Sequence, residues 1–225
     1  MSKIWAIIPA YNEEKNILKV INDVANYVDK IVVVNDCSID KTGNVLKEAS
    51  FSDNIIVLEH IVNRGQGAAL QTGNECALEN GADIIVHFDA DGQFLAEEIQ
   101  DILKPILENT SDIVFGSRFL SKKSDIPLFK KIIIFPISQL VNRILIGKNS
   151  LTDPQSGFRA MTAEAARVIR IEQDRMAHCS EILVKAHASG LRIREVPIAV
   201  IYTEYGQKFS GGINIIKDLI LRKIG

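Results

Sequence analysis

The stretch V-H-F-D-A-D-G-Q-F occupies residues 86–94 and ends an apolar run with two aspartates one residue apart. A compact aliphatic run of this kind is typical of a strand that is buried in a sheet. The Asp-Gly step that follows indicates a tight turn, because glycine adopts backbone conformations that other residues avoid. The stretch therefore predicts a buried strand whose carboxyl end carries either a solvated acidic turn or a metal site.

Similar short aliphatic runs recur along the first half of the chain. The predicted strands cover residues 4–8, 31–34, 55–58, 84–88 and 113–115. Segments with the apolar spacing of a helix separate them, at 13–28, 38–49, 67–80 and 97–108. Asn12 is the expected cap of the first helix, and Pro105 is expected to bend or divide the last one. This alternation predicts an α/β fold with a doubly wound, mostly parallel sheet and helices on both faces.

The alternation stops after residue 115. The second half has a long helical segment at 126–147, helix candidates at 162–170 and 179–189, strand candidates at 192–196 and 198–202, and a terminal helix from about 212. Neither a linker nor a low-complexity segment separates the two halves. We therefore predict a single domain over residues 1–225.

Charge and cysteine content narrow the class of protein. The 225 residues include 26 basic and 28 acidic side chains, which leave a formal net charge of −2 and favour no nucleic-acid partner. Three widely spaced cysteines without a CxxC pattern predict neither a disulfide framework nor a zinc site. The chain opens on a strand pattern instead of a secretory leader, and it has no apolar run of roughly twenty residues. We expect a cytoplasmic protein.

The segments that follow four of the strand candidates are polar and rich in glycine and carboxylates. They read P-A-Y-N-E-E (9–14), N-D-C-S-I-D-K-T (35–42), V-N-R-G-Q-G (62–67) and D-A-D-G-Q (89–93). Ligands of parallel α/β sheets bind beyond the carboxyl ends of the strands. We therefore expect these four loops to gather along one edge of the sheet.

The fourth loop has the side chains of a hard-cation site. Asp89 and Asp91 can face one cation if the turn between them is tight, and Gln93 can add a neutral oxygen or orient a water ligand. Oxygen ligands of this kind suit Mg²⁺ or Mn²⁺, which take the rest of their coordination from waters and substrate phosphates. The alternative is a solvated turn without a metal.

The second and third loops have two interpretations each. Asp36 can accept hydrogen bonds from a nucleobase edge, or it can cap the next helix together with Ser38 and Asp40. The glycines of N-R-G-Q-G (63–67) can bring backbone amides to a phosphate at a helix N-terminus, or they can form a simple turn. Three arginines are candidate phosphate or carboxylate partners, or ordinary surface residues: Arg64, Arg118 and Arg159.

The order of the motifs resembles that of family 2 glycosyltransferases with the GT-A fold. After the four loops come F-G-S-R-F (115–119), D-P-Q-S-G-F-R (153–159) and E-V-P-I (195–198). The resemblance covers about residues 4–212 and is greatest to the dolichyl-phosphate mannose and glucose synthase branch. It implies a Rossmann-like half at 1–118 that binds the nucleotide sugar and the metal, and an acceptor-side half at 119–225.

The resemblance also implies roles for the matching residues. The nucleotide-sugar site would consist of Pro9, Tyr11, Glu13, Val34, Asp36, Asp89, Ala90, Asp91, Arg118 and Lys208. The metal, Mg²⁺ or Mn²⁺, would be held by Asp91 and Gln93, with Asp89 at or near it. The catalytic residues would be Asp91, Arg118 and Asp153.

The activity implied is the transfer of a hexose from a GDP- or UDP-linked sugar to polyprenyl or dolichyl phosphate, with inversion and with a divalent metal. A phosphate acceptor needs no strong general base, whereas a saccharide or protein hydroxyl needs a carboxylate such as Asp153 or Glu181. Transfer to such a hydroxyl is one alternative function. A protein that binds nucleotide sugars without catalysis is another, and a generic doubly wound domain with acidic loops is the simplest.

Some residues depart from the family pattern. Asn35 and Cys37 replace an aspartate and a glycine that are usual there, while Asp36 is kept. Thr203 and Phe209 stand where the polyprenyl-phosphate enzymes have an arginine and a lysine, and Lys208 is one position from the second. The acceptor is therefore less firmly indicated than the donor.

The lysine-flanked aliphatic segment at 126–147 has two interpretations. It can contact a membrane surface peripherally, on the cytoplasmic face, because lysines flanking apolar side chains favour an interfacial position. Otherwise it packs on the core or on a second copy of the chain in a homo-oligomer.

Overall fold

The computed structural model of the protein describes residues 2–120 and 151–201. The helices predicted at 126–147 and from 212 lie outside these ranges, and so do Thr203, Lys208 and Phe209. The division of a single domain into halves at residue 118 stays a prediction. No helix in the described ranges is long and apolar enough to cross a membrane.

Seven strands form one sheet. They are β1 (Ile4–Ala10), β2 (Lys30–Asn35), β3 (Ile55–Glu59), β4 (Ile84–His87), β5 (Ile113–Ser117), β6 (Arg159–Thr162) and β7 (Ile193–Pro197). Their order across the sheet is β3-β2-β1-β4-β6-β5-β7. Among these strands only β6 runs antiparallel to its neighbours, β4 and β5. The predicted mostly parallel sheet is confirmed.

Six α-helices connect or follow the strands in the described ranges. They are α1 (Ile17–Val24), α2 (Thr42–Glu48), α3 (Gln66–Glu79), α4 (Ile99–Leu107), α5 (Ala163–Val168) and α6 (His178–Ala188). A short 3-10 turn at Ala96–Glu98 precedes α4. Buried apolar residues form a core on each face of the sheet, with Ile8 in one core and Ile7 in the other. Helices therefore cover both faces, as the alternating sequence pattern predicts.

Gly73 explains how closely α3 packs on the sheet. A Cβ atom at this position would lie 2.2 Å from Cγ2 of Ile7 on β1, so only glycine fits the contact. The close packing brings the N-terminus of α3 beside the carboxyl ends of β1 and β4. These ends carry the acidic loops.

The predicted cap of the first helix is wrong, and the fourth predicted helix is not divided. α1 begins at Ile17, and Asn12 does not cap it, because the Asn12 side chain instead accepts the N–H of Ile39 at 2.9 Å. Pro105 does not divide α4, which continues to Leu107. The hydrogen bond that a proline cannot donate falls in the last turn of this helix, where its loss disrupts little.

The strand predicted at 198–202 is not a strand within the described residues. Only one bridge, between Phe94 and Val200, occurs there. A further strand, β6, forms at Arg159–Thr162, a segment for which the sequence pattern predicts no strand. Thr162 ends this strand and caps α5, because its hydroxyl accepts the N–H of Ala165 at 3.1 Å.

Candidate active site

The loops that follow β1, β2, β3 and β4 meet at one edge of the sheet. The first two are joined by Ser38 Oγ, which accepts the N–H of Asn12 at 3.0 Å. The third and fourth are joined by Gln66, whose Nε2 donates to Oδ1 of Asp89 at 2.7 Å. The predicted clustering of the four loops is confirmed, because parallel strands place their carboxyl ends together.

A cleft of about 640 Å³ opens between these loops. The predicted site residues that line it are Pro9, Tyr11, Glu13, Asp36, Asp89, Ala90, Asp91, Gln93 and Arg118. Val34 and Asp153 are buried and do not line the cleft, being 0% and 1% exposed. The cleft has the size and polarity of a site for a small polar ligand.

Asp36 anchors the third loop. Its carboxylate accepts the backbone N–H groups of Arg64 at 3.0 Å and Gly65 at 2.6 Å. Nδ1 of His60 lies 2.6 Å from the same carboxylate, and Nε2 of His60 lies 2.9 Å from Oγ1 of Thr72. Most of the acceptor capacity of Asp36 is therefore used within the protein. Its contact with a nucleobase stays a prediction.

Asp40, four residues after Asp36, bonds to the start of α2, although the N-cap position of this helix is Lys41. Oδ1 of Asp40 accepts both the N–H and the hydroxyl of Thr42, the first residue of α2, at 2.9 and 2.6 Å. Ser38 does not cap this helix, because its hydroxyl donates to Oδ1 of Asn35 at 2.6 Å. The second loop is thus ordered by its own side chains.

Asp91 of the fourth loop is close enough to affect the titration of Asp89. Burial and the negative charge of Asp91 raise the pKa of Asp89 to about 7. Burial, followed by the charge of Asp91, also raises the pKa of Glu13 on the neighbouring loop. Repulsion between carboxylates is what a bound divalent cation relieves. The carboxylates, with the side-chain oxygen of Gln93, are donors that fit Mg²⁺ or Mn²⁺.

The number of ligands matters for this fit. In the described ranges no group of three or more His, Cys, Asp or Glu side chains could hold a metal ion by itself. A cation at Asp89 and Asp91 would therefore complete its coordination with waters and ligand phosphates, as Mg²⁺ commonly does. Oδ1 of Asp91 also accepts the N–H of Gln93 at 3.0 Å, which closes the turn.

Gly157 of the sixth motif packs directly on the carboxylate of Asp89. A Cβ atom here would lie 2.2 Å from Oδ2 of Asp89. Any larger residue would displace the carboxylate. The loop before β6 thus forms one wall of the candidate metal site.

Arg118 reaches the cleft from the end of β5 and is paired with Asp153. Its Nε donates to Oδ2 of Asp153 at 2.5 Å, its Nη2 donates to Oδ1 at 2.7 Å, and its backbone N–H donates to Oδ2 at 3.1 Å. Of the three candidate arginines, Arg118 alone lines the cleft. Arg64 pairs with Asp174 on the surface, and Arg159 is fully buried.

The two candidate bases are both engaged elsewhere. Asp153 faces Arg118, as described above. Glu181 on α6 accepts the N–H of Gln173 at 2.8 Å and pairs with Lys185 at 2.9 Å, and it does not line the cleft. A role as a base stays a prediction for both.

Cys179 is a cleft residue that sequence reasoning missed. Its thiol lies 3.4 Å from Nε2 of His178 and accepts from Nη2 of Arg159 at 3.4 Å. Burial raises the pKa of this thiol, but the combined effect of His178 and Arg159 is larger and lowers the pKa to about 6. Nothing in the local sequence could have indicated the cluster, because it joins β6 to α6 through tertiary contacts.

Comparison with known proteins agrees with this architecture. The model of the family described as glycosyl transferase family 2 matches residues 5–170. A UDP-N-acetylglucosamine–dolichyl-phosphate N-acetylglucosaminyltransferase of Methanococcus voltae is 37% identical, over 99% of this chain and 96% of its own. An undecaprenyl-phosphate mannosyltransferase of Micrococcus luteus is 33% identical, over 94% of this chain and 89% of its own.

The fold also has solved counterparts. A glucosyl-3-phosphoglycerate synthase from Mycobacterium tuberculosis, solved with Mn²⁺, UDP-glucose and phosphoglyceric acid, superposes with a TM-score of 0.73. The match covers 98% of this chain and 79% of that one, at 18% identity. The fold is therefore GT-A, and the family model covers most of the described residues. The chain belongs to glycosyl transferase family 2 and is a glycosyltransferase.

Proposed function

We propose that the protein transfers a hexose from a nucleoside-diphosphate sugar, UDP- or GDP-linked, to polyprenyl phosphate with inversion at the anomeric carbon. One observation carries the donor half of this proposal. The acidic pair Asp89 and Asp91 and the guanidinium of Arg118 line the same cleft. Carboxylates that can hold a cation, facing an arginine, are the groups that a sugar diphosphate requires.

The nucleotide would lie along the loops after β1 and β2. Pro9, Tyr11 and Glu13 would border it, and Asp36 would meet the base with the acceptor capacity that remains to it. Asp89 and Asp91 would hold Mg²⁺ or Mn²⁺ together with Gln93. When bound, such a metal neutralises the negative charge that develops on a leaving diphosphate.

Arg118 would supply the protein's own stabilisation of the leaving group. Its guanidinium is held in one orientation by Asp153 before any substrate arrives, so it need not reorganise during the reaction. A planar fork of N–H donors matches the geometry of phosphate oxygens. Arg118 is therefore the residue that we expect to contact the diphosphate on the side away from the carboxylates.

The positions of the candidate bases favour a phosphate acceptor. A polyprenyl phosphate oxygen is already anionic, and it can attack the anomeric carbon from the face opposite the diphosphate without losing a proton. A hydroxyl acceptor would need a carboxylate free to take its proton. Asp153 is paired with Arg118 and Glu181 lies away from the cleft, which supports the phosphate.

The names of the relatives support the same acceptor. The Methanococcus voltae protein is named for dolichyl phosphate and the Micrococcus luteus protein for undecaprenyl phosphate. A lipid acceptor would place the enzyme at the cytoplasmic face of a membrane. Peripheral contact through 126–147 and a role for Lys208 in the nucleotide-sugar site belong to this proposal.

Two measurements test the proposal in turn. First, thermal unfolding is followed with Mn²⁺ and UDP, GDP, ADP or CMP, since a ligand of the native state raises its stability. One nucleoside diphosphate should raise the melting temperature only when the metal is present. The matching nucleotide sugars are then assayed with polyprenyl phosphate and with the free polyprenol. Transfer to the phosphate alone supports the proposal, transfer to the alcohol indicates a hydroxyl acceptor, and binding without transfer indicates a non-catalytic protein.

A further inference from the structure

Glu195 lies on β7 and does not line the cleft, yet it holds the backbone beside the cleft arginine. Its Oε2 accepts the N–H of Thr152 at 2.9 Å. Its Oε1 accepts the hydroxyl of Thr152 at 2.9 Å and the N–H of Asp153 at 3.0 Å. Three donors from two consecutive residues therefore converge on one carboxylate.

The residues that Glu195 holds are themselves bonded to the end of β5. Asp153 receives three hydrogen bonds from Arg118, two from the guanidinium and one from the backbone. Oγ of Ser117 lies 2.6 Å from Oγ1 of Thr152. The contacts form a continuous path from Glu195 through Thr152 and Asp153 to Arg118.

Two paired strands hold the ends of this path in place. β5 and β7 are neighbouring parallel strands, and Phe115 is the register partner of Glu195. Arg118 follows the carboxyl end of β5, and the segment at 152–153 is bonded to both strands. The side chain of Arg118 is long and flexible, so its direction depends on how firmly Asp153 is held.

A carboxylate is the side chain that this position requires. An ionised carboxylate offers about four lone pairs and no donor, so it can accept all three bonds. The amide of glutamine would place an N–H₂ group against a donor. A change from Glu195 to Gln therefore disturbs 152–153 while leaving the size of the side chain almost unchanged.

We propose that Glu195 is a positioning residue of the active site, which holds Arg118 in its working orientation through Thr152 and Asp153. The inference rests on the proposed function, in which Arg118 meets the sugar diphosphate. It predicts an effect on the transfer step. Binding of the nucleoside part depends on the loops after β1 and β2, which lie at the other side of β4 in the sheet.

The structure offers a matched control for the test. Asp112 precedes β5 and also ties it to β7, because its carboxylate accepts two hydrogen bonds from Arg192. The backbone N–H of Arg192 donates at 2.8 Å, and Nη2 of Arg192 donates at 2.7 Å. These bonds lie at the amino ends of the two strands, away from the cleft. Asp112→Asn should lower the melting temperature without changing kcat.

The experiment compares Glu195→Gln with Asp112→Asn in transfer of the sugar to polyprenyl phosphate at saturating donor. We expect Glu195→Gln to lower kcat by about 10- to 100-fold, the size of effect that a small misplacement of a catalytic group produces. The Kd of the nucleoside, which lacks the diphosphate that Arg118 meets, should change by less than about twofold. In Arg118→Lys, adding Glu195→Gln should cause little further loss, because residues that act as one unit are not additive.

Thr152→Val provides a milder variant if Glu195→Gln folds poorly. It removes the hydroxyl bond from Thr152 to Glu195 and the contact between Thr152 and Ser117 Oγ, but keeps both backbone bonds to Glu195, so it should lower kcat in the same direction, by less. An unchanged kcat in both variants would overturn the inference, and so would a loss that multiplies with that of Arg118→Lys. If the unaltered protein binds nucleotide sugars but transfers none, the proposed function fails first and this inference fails with it.

Discussion

Arg118 donates from Nε and Nη2 to the two carboxylate oxygens of Asp153, at 2.5 and 2.7 Å. Asp153 is buried, with 1% of its surface exposed, whereas Arg118 lines the cleft. A buried carboxylate therefore fixes the orientation of a cleft arginine. Planar bidentate pairs of this type restrict both orientation and rotation of the guanidinium. Asp153, the first residue of D-P-Q-S-G-F-R, thus has Arg118 as its partner, and an acceptor hydroxyl is not needed to explain it.

The pair should behave as one unit in catalysis. We expect Asp153→Asn and Arg118→Lys each to lower kcat by about 10²-fold, as removal of a preorganised charge-stabilising donor does. The double variant should lose little more than Arg118→Lys alone. Steady-state transfer assays on the four proteins measure this. If Asp153 acted separately as a base, the two losses would multiply.

Asp91 should be required for metal-dependent binding of the nucleotide. Asp91→Asn removes a charged oxygen ligand, so Mn²⁺ should no longer enhance the thermal stabilisation by the nucleoside diphosphate. Asp53→Asn, on an exposed turn before β3, is the matched control and should keep the full shift. An undiminished metal-dependent shift in Asp91→Asn would contradict the proposed metal site.

The titration of Asp89 gives a prediction for stability against pH. Its pKa is raised from 3.8 to about 7, so the folded protein binds this proton more tightly than the unfolded chain does. The free energy of unfolding therefore contains a contribution that is complete below about pH 4 and is lost as the pH rises through 7. Between pH 5 and 8 without metal, the melting temperature should fall more in the unaltered protein than in Asp89→Asn.

Other carboxylates also titrate, so the difference between the two proteins is the quantity to measure. We expect it to change by at least about 2–4 °C, the shift that 1 kcal/mol causes in a chain of this size. Mn²⁺ should stabilise the unaltered protein more at pH 8 than at pH 5, because only the ionised carboxylate binds a cation. Parallel pH profiles of the two proteins would refute the assignment of the raised pKa to Asp89.

The sequence predicted the parts of the site that depend on local pattern. Aliphatic runs locate five strands, and the rule that ligands bind at their carboxyl ends brings Asp36, Asp89 and Asp91 to one cleft. β6 was missed because it has four residues and begins with Arg159, a charged side chain that gives no strand signal. This arginine is nevertheless fully buried, beside the ring of Phe115.

The hydrogen-bond partners of the site residues could not be predicted from local sequence patterns. His60 is 24 residues from Asp36, and Glu195 is 42 residues from Asp153. Such pairs are set by the order of strands in the sheet, which a linear motif does not contain. Asn12 is a related case, since its expected cap on α1 was replaced by a hydrogen bond to the neighbouring loop at Ile39. Tertiary contacts overrode the local preference at each of these positions.

Asp36 and His60 allow the two proposed roles of Asp36 to be separated. If Asp36 only anchors the third loop, Asp36→Asn should weaken nucleotide binding only a little more than His60→Ala, since Asp36 contacts His60 and also accepts the N–H groups of Arg64 and Gly65. If Asp36 also meets the base, its loss should cost about tenfold more in affinity than loss of His60, the equivalent of one further hydrogen bond to a charged group. We expect the larger effect. Titration calorimetry with the nucleoside diphosphate and Mn²⁺ measures both affinities, and nearly equal losses would leave Asp36 with the anchoring role alone.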